Sequence, residues 1–469
     1  MSTATRKAAP APAPIASAAE DPGQLPLLRS TFRSGRTRSL TWRRAQLEGL
    51  ARLLSEREKE LAAAVEQDLG RSAIGTFMGD LAPVRAEIRH TLKNLERWSR
   101  PQRAPLPVTQ QPGKAWTVAE PKGVVLVIGA WNFPLLLTLQ PLVSALAAGN
   151  VVLVKPSELA PRTAQVLAEL LPKYLDPSAV VVANGGAEVS AALLREKFDH
   201  VFFTGSARVG RLVATAAAEH LTPVTLELGG KSPVIVAADA DLDVAARRIA
   251  WAKCVNSGQA CIAPDYVLVE DSVRPAFVER LLRELDKAWR AEPTRIVNEN
   301  HFDRLTALLD GHGGDTTGGQ RDRGTLRFGA AVVTDPDLDS PLMTEEIFGP
   351  ILPVVTVTSV DDAVEMVNSR PKPLALYLFT ESDDTVQTVL GNTSSGSAGV
   401  NHLLYQLLVP DLPFGGVGAS GTGDYHGEHG FATFSHRKSV LRKPTNPDPS
   451  FAYPPYGAFA TRLLRRIMG

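Results

Sequence analysis

Cysteine is nearly missing from this chain: two occur in 469 residues, Cys254 and Cys261. Two thiols cannot staple a disulfide scaffold, and their scarcity points to a reducing compartment, so a cytoplasmic protein is expected. A surplus of either charge is missing too, with 50 Lys plus Arg against 50 Asp plus Glu. Nucleic-acid binding rests on neutralising phosphates, so nucleic acid is excluded as the main partner. No Gly-x-Ser-x-Gly occurs, which removes the serine-hydrolase elbow. His426 and His429 have a metal-like spacing, but Gly427 intervenes and no cysteine is near, so no metal is expected. The first residues, Met1 to Glu20, are rich in Ala, Pro, Ser and Thr and lack an apolar core. They do not form a secretory signal, and residues 1–22 are expected to be a disordered tail. One long run, Val124 to Val154, has no charged residue and exceeds the ~20 residues of a membrane span. Gly129, Asn132, Pro134, Pro141, Gly149 and Asn150 interrupt it. It therefore reads as strand, helix and strand, with no membrane anchor.

At about 150 residues per domain the length allows roughly three lobes. Hydrophobic residues make up 44% and charged residues 21%, a globular composition that rules out coiled coil, collagen and wholesale disorder. Between Leu25 and Arg100, Leu47, Leu50, Leu53, Leu54, Leu61, Val65 and Leu69 recur at helical spacings, which predicts packing helices. Prolines and glutamines crowd Pro101–Pro112 and predict an irregular connection or an edge arm. From Pro121 to Gly230 strands are expected at Val124–Ile128, Val151–Val154, Val180–Ala183, His200–Thr204 and Pro223–Leu228. Helices are expected between them at Pro134–Ala147, Ala160–Tyr174 and Val209–His220. That alternation predicts a parallel sheet wrapped by helices, which binds ligands at the carboxyl ends of its strands. A second series runs from Ser232 to about Leu408, with strands at Val234–Val236, Tyr266–Val269, Ile351–Val357 and Leu374–Phe379. Its helices are expected at Leu242–Cys254, Val273–Arg290 and Val360–Val367. The expected fold class is α/β: two Rossmann-like parallel-sheet lobes with a crevice between them. Six glycines in Gly311–Gly324 predict a surface loop.

Several motifs could carry chemistry. Gly416, Gly418 and Gly421 have dinucleotide-fingerprint spacing, but no strand precedes and no helix follows, so a turn-rich loop is expected. The segment Phe203 to Gly210 is a better phosphate candidate. It follows an apolar strand and opens a helix, whose free N–H groups and dipole favour an anion. Gly205 lets backbone approach, Ser206 can donate, and Gly210 permits tight packing. Gly229-Gly230-Lys231-Ser232 resembles the end of a P-loop, but the first glycine would fall at Thr225 and the motif fails. Cys261 lies in a turn flanked by Gly258 and Pro264; by pattern it is either a nucleophile or a packed thiol. Cys254 reads as a small core residue of the preceding helix. Glu227 ends an apolar strand, where a charge is costly without a task or a partner. Glu345 and Glu346 precede Phe348-Gly349-Pro350 in a similar way, and Asn132 follows Trp131 at the mouth of the first strand. Ordinary capping or ion pairing remains the alternative for each.

Together these pieces resemble the NAD(P)-dependent aldehyde dehydrogenase superfamily, in particular its class 3 branch. The resemblance is carried by Trp131-Asn132-Phe133-Pro134, Lys155-Pro156-Ser157-Glu158, Phe203-Thr204-Gly205-Ser206 and Glu227-Leu228-Gly229-Gly230-Lys231-Ser232-Pro233. It continues in Gly258-Gln259-Ala260-Cys261, Glu345-Glu346-Ile347-Phe348-Gly349-Pro350 and Leu412-Pro413-Phe414-Gly415-Gly416-Val417-Gly418. Ala263-Pro264-Asp265-Tyr266, Tyr425-His426-Gly427 and Phe434-Ser435-His436 point to class 3. The likeness spans roughly Leu25 to Leu441.

The resemblance implies oxidation of an aromatic or medium- to long-chain aliphatic aldehyde to the acid. It makes Cys261 the nucleophile, through a thiohemiacetal and a thioester, Glu227 the general base, and Asn132 an oxyanion donor with the Cys261 N–H. The cofactor is NAD, with NADP as the second choice. By resemblance its contacts are Trp131, Lys155, Glu158, Gly205, Ser206, Gly210, Leu228, Glu346 and Phe348, and Glu158 beside the ribose should favour NAD. It further implies a discontinuous NAD(P)-binding domain at residues 23–100 and 119–228, and a catalytic domain at 229–424. Oligomerisation arms of a homodimer would lie at 101–118 and 425–445, and a C-terminal tail at 446–469. The stretch Phe459–Ile467 is basic and amphipathic, and a tail helix over the substrate entrance is the expectation. One departure bears on substrate range: Asn401-His402 stands where the family has Asn-Asp, and Gln406 where it has a histidine. The alternatives are a coenzyme A-acylating dehydrogenase, which commonly lacks a glutamate at the Glu227 place, and a thiol esterase or non-catalytic nucleotide-binding protein.

Overall fold

The structure, a computed structural model, describes residues 24–291 and 294–468; the tail expected over residues 1–22 lies outside them. The helical region forms, with helices at Gln24–Arg33, Leu40–Glu56, Glu58–Leu69 and Ala82–Ser99. The periodic leucines and Val65 all face one core, shared with Val125 and Val127 of the first sheet. Apolar residues at helical spacing thus pack helices onto strands, as the pattern requires.

Two short antiparallel strands come first, β1 (Gln102–Ala104) and β2 (Lys114–Pro121). The first large sheet follows as β3 (Val124–Ile128), β4 (Val151–Lys155), β5 (Val180–Val182), β6 (His200–Thr204) and β7 (Val224–Glu227). The second takes β8 (Pro233–Val236), β9 (Tyr266–Glu270) and β10 (Asp315–Gly318). A two-stranded ribbon, β11 (Arg321–Asp322) with β12 (Arg327–Phe328), interrupts it before β13 (Ala331–Thr334), β14 (Ile351–Val357), β15 (Ala375–Phe379) and β16 (Ser397–Val400). Last come β17 (Gly421–Thr422) and β18 (Ser435–Arg442).

The first sheet has the order β17-β7-β6-β3-β4-β5 and the second β10-β13-β14-β9-β8-β15-β16. Within each, every pairing is parallel except at one edge, where β17 and β10 run antiparallel. β3, β4 and β6 are buried along their whole length, which explains their unbroken apolar runs. β1, β2 and β18 form a separate three-stranded sheet. Two expectations need correction. Gly311–Gly324 is not all loop, because β10 lies within it; its residues are exposed, so backbone pairing alone places it and its polarity hid it. The turn-rich loop around Gly416 ends in β17, and Gly421 pairs with Glu227. The C-terminal stretch forms a helix at Ala458–Met468, with Phe459 74% exposed. Among the described residues no helix is long and apolar enough to cross a membrane.

The two sheets meet end to end. Asn132, in the loop leaving β3, donates from Nδ2 to the Gln259 carbonyl ahead of β9 at 3.1 Å. Gly229, just past β7, leaves no space for a side chain against the Glu346 carboxylate ahead of β14. The carboxyl ends of the first sheet thus face the amino ends of the second.

One buried ion pair fixes the loop leaving β3. Arg71 and Asp80 pair with side chains 4% and 0% exposed. Asp80 Oδ1 accepts from the backbone N–H of Leu135 and of Leu136, each at 3.0 Å, so it caps the wholly buried helix Leu136–Ala148. Arg71 donates to the Asn132 carbonyl and lies over the Phe133 ring at 4.4 Å. Removing one member strands the other charge away from water. Asp80→Ala should therefore cost about 3–5 kcal/mol of stability, read from the denaturant midpoint; a cost below about 1 kcal/mol would show that the pair does not anchor this loop.

Candidate active site

Cys261 stands between the helix Leu242–Cys254 and β9. The chain leaves that helix through three successive left-handed residues, Asn256 (φ 49°), Ser257 (φ 52°) and Gly258 (φ 72°). A Cβ on Gly258 would lie 2.3 Å from the Gly349 carbonyl oxygen, so only glycine fits. Buried hydrogen bonds hold this unfavourable turn. Asn256 Nδ2 donates to the carbonyls of Asn132 at 3.0 Å and Gln259 at 3.1 Å. Gln259 donates to the carbonyls of Asn256 and Arg295 and accepts from the Val297 N–H. Asn132 spends one amide hydrogen on Gln259, and an amide nitrogen carries two.

Cys261 keeps part of its surface exposed, whereas Cys254 is buried at 4%. Burial pushes the Cys261 thiol up to about 12, and the carboxylates of Glu346 and Glu227 push the same way. The backbone N–H groups of Cys261 and Ile262 act against them. Sulfur, two acids and two amide donors therefore share one pocket. Cys254 is also raised to about 12, by burial, and packs in the core as expected.

Glu227 is 2% exposed, and among the described residues neither carboxylate oxygen has a hydrogen-bond partner. Burial, then the charge of Asp424, raises its carboxyl well above the usual range. Burial together with a specific charged neighbour is the pattern of a functional-site carboxylate. Glu346 is raised to about 8 by burial and by Asp265, opposed by the Gly230 N–H, Lys231 and Arg304. Its Oε1 has no partner. Glu345 is exposed and points away, 3.9 Å from Arg304, so only one of the two expected glutamates enters the pocket.

The remaining expected residues lie at or near the carboxyl ends of the first sheet and in the loop ahead of β14. Trp131 meets Phe348 edge-on at 5.5 Å. Phe348 holds φ at 52°, a strained value for an aromatic residue. Lys155, 1% exposed, donates to the Pro156 carbonyl at 3.1 Å and to Glu158 at 2.8 Å. Partial burial pushes the Glu158 carboxyl up, but the Lys155 hydrogen bond and charge outweigh it and hold it low. Ser206 caps the helix Ala207–Glu219, and Gly205 donates to the Glu227 carbonyl at 3.0 Å. A Cβ on Gly210 would sit 2.7 Å from the Leu228 side chain, so that helix lies close against the strand end.

These residues fit a dinucleotide. A helix N-terminus with an exposed Ser206 suits a pyrophosphate. The Lys155–Glu158 pair offers a donor and an acceptor for hydroxyls, and the orphaned Glu346 oxygen is a second acceptor. Sequence reading missed the supports Arg71, Asp80 and Asn256 beneath them, and named Gln259 in a motif without a role. The Asn-Ser-Gly run was the one available signal, since Asn and Gly tolerate left-handed backbone. Gln406 donates to the hydroxyl of Tyr377 at 3.3 Å, and Tyr377 donates to the Ile262 carbonyl at 2.7 Å. That departure from the family pattern thus lies two hydrogen bonds from the residue after Cys261.

Residues 28–440 match the profile described as the aldehyde dehydrogenase family. Aldehyde dehydrogenase family 3 member A2 of Rattus norvegicus is 47% identical over 426 residues, spanning 90% of this chain and 88% of that protein. The dimeric, NADP-preferring aldehyde dehydrogenase of Rattus norvegicus is 45% identical, spanning 88% of this chain and 93% of that one. A solved substrate-bound AldH of Staphylococcus aureus superposes with a TM-score of 0.91 at 37% identity, covering 95% of this chain and 99% of that chain. The chain therefore belongs to the aldehyde dehydrogenase family, and its activity is NAD(P)-dependent aldehyde oxidation.

Proposed function

We propose that the protein oxidises an aromatic or medium- to long-chain aliphatic aldehyde to its carboxylic acid in two halves, both carried by Cys261. The sulfur adds to the carbonyl carbon and gives a thiohemiacetal. The developing alkoxide is met by the free hydrogen of Asn132 and by the Cys261 N–H, donors fixed before the reaction begins. Bound NAD(P)+ supplies the acceptor for the hydride that leaves this carbon. A thioester remains on the sulfur. Glu227 takes a proton from water, the resulting hydroxide adds to the thioester, and the thiolate departs as the acid forms. The observation that carries this reading is the Glu227 carboxylate, buried without a partner among the described residues beside the half-buried Cys261. It also favours hydrolysis over acyl transfer to coenzyme A.

The substrate range is supported by aromatic surface near the nucleophile's helix: Trp251 meets Tyr405 at 5.6 Å and His402 at 6.0 Å. The low-held Glu158 carboxylate supports NAD over NADP, by repulsion of a 2′-phosphate. We further infer a cytoplasmic homodimer. Both cysteines are free thiols, and among the described residues β18 pairs only with β2, leaving an edge for a second copy. The arms would be residues 101–118 and 425–445, flanking the domains assigned at 23–100 with 119–228 and at 229–424. Sedimentation at twice 50.3 kDa supports the dimer, and a monomer at assay concentration excludes it.

Cys261→Ala should abolish aldehyde-dependent NADH formation while NAD+ still binds; unchanged turnover refutes the assignment. Glu227→Gln should leave a burst of one NADH per site and slow the steady rate by about 100-fold; a normal steady release of acid contradicts the base role. Burial pushes the Cys261 thiol up to about 12 and the Glu227 carboxyl above its usual range, so kcat/KM for aldehyde should climb from neutral to alkaline pH, and a flat profile would contradict this. The same burial acts on stability. Folding holds a proton on Glu227 that the unfolded chain releases, so stability falls as pH rises past the ordinary carboxylate value. Glu227→Gln should flatten that fall, by up to about 1 kcal/mol per pH unit above the ordinary carboxylate value, measured by denaturant titration at each pH.

A further inference from the structure

The loop Glu345–Pro350 carries Glu346 and the strained Phe348, yet little of its own sequence holds it. Lys231 donates to the Glu345 carbonyl and Asp265 accepts from the Ile347 N–H, and the helix Glu299–Asp310 grips the rest with a single face. Arg304 Nη1 donates to the Glu346 carbonyl at 3.1 Å, and Nη2 donates to the Ile347 carbonyl. Three residues earlier in that helix, His301 donates from Nε2 to the Phe348 carbonyl at 2.8 Å. Arg304 Nε reaches His301 Nδ1 at 3.4 Å, which fixes that nitrogen as the acceptor and Nε2 as the donor. Leu305 lies under Gly349, where a Cβ would come within 2.4 Å of it. Residues i, i+3 and i+4 share a helix face, so three side chains grip four consecutive residues of the loop.

The same helix is tied to the nucleophile turn. The segment just before it accepts from Ser257 at the Thr294 carbonyl and from Gln259 at the Arg295 carbonyl, and donates from the Val297 N–H to Gln259 Oε1. The His301 ring also faces Trp131 edge-on at 6.2 Å and Phe348 at 6.1 Å. One helix therefore joins the turn bearing Cys261, the loop leaving β3 and the loop bearing Glu346.

We propose that Arg304, with His301 beside it, is a positioning residue for NAD(P): it holds the loop Glu345–Pro350 in its strained form so that Glu346 and Phe348 meet the nicotinamide end of the cofactor. The inference rests on the cofactor reading given above. Arg304 does not touch the reacting atoms. Its planar fork spans two adjacent carbonyls, a geometry that an ammonium cannot copy.

The test separates cofactor binding from thiol chemistry. NAD+ affinity is measured by titration calorimetry, and thiol reactivity by hydrolysis of p-nitrophenyl acetate without cofactor. Arg304→Gln should weaken NAD+ binding by about tenfold or more, while ester hydrolysis stays within about twofold and the melting curve stays cooperative. Arg304→Lys should recover only part of the affinity. Unchanged NAD+ affinity in a folded Arg304→Gln variant overturns the proposal, as does an equal fall in both readouts. If Arg304→Gln does not fold, His301→Phe decides, because it keeps the ring and loses the donor; it should weaken NAD+ by about threefold, and unchanged affinity overturns the proposal. Failure of the underlying reading has a different signature, since the unaltered chain would then bind no NAD+.

Discussion

Burial without compensation is the constraint from which the rest of this site follows. A thiol and two carboxyl groups share a place with too little water to charge them easily, and Glu227 has no partner for either oxygen. Left to itself such a pocket would close or take in water. It is kept open by backbone. Glycine at positions 229 and 258 lets main chain pass where side chains would collide. Asn132, Asn256 and Gln259 hold carbonyls in fixed directions. Amide hydrogens of Asn132, Asn256 and Gln259 are spent on the frame, whereas both Glu227 oxygens are left without a partner among the described residues.

That division explains what could be read from the sequence. Strands such as β3 and β4 are apolar on both faces, so their existence and the parallel architecture are written into composition. β10 is not: Asp315, Thr316, Thr317 and Gly318 are exposed and polar, and only pairing with β13 makes them a strand. β17 is two residues long and glycine-led, with no periodicity to detect. Edge strands take their form from neighbours distant in sequence, which local pattern does not encode.

The site was legible for the same reason in reverse. Cys261 after a glycine turn, Glu227 closing an apolar strand and Asn132 at a strand mouth are anomalies in otherwise regular stretches. The family likeness then turned anomalies into roles. The frame residues are ordinary by comparison. Arg71 lies in the short link between the helices Glu58–Leu69 and Ala73–Thr76, Asp80 lies nine residues on, and nothing local marks them as the 4% and 0% exposed pair that they form. Gln259 was visible as part of a motif, but its hydrogen bonds reach Arg295 and Val297, more than thirty residues away.

The edge pairing of β17 bears on how the molecule comes into being. Gly421 and Thr422 complete the first sheet beside β7, yet they leave the ribosome after the whole second sheet. Until they arrive, β7 is an open edge and Glu227 lacks its neighbour. Late closure raises contact order, slows folding and leaves a strand available for mispairing. Nascent chains cut short before residue 421 would thus present an unprotected edge, and the acid base of the reaction is among the last features of the fold to be set.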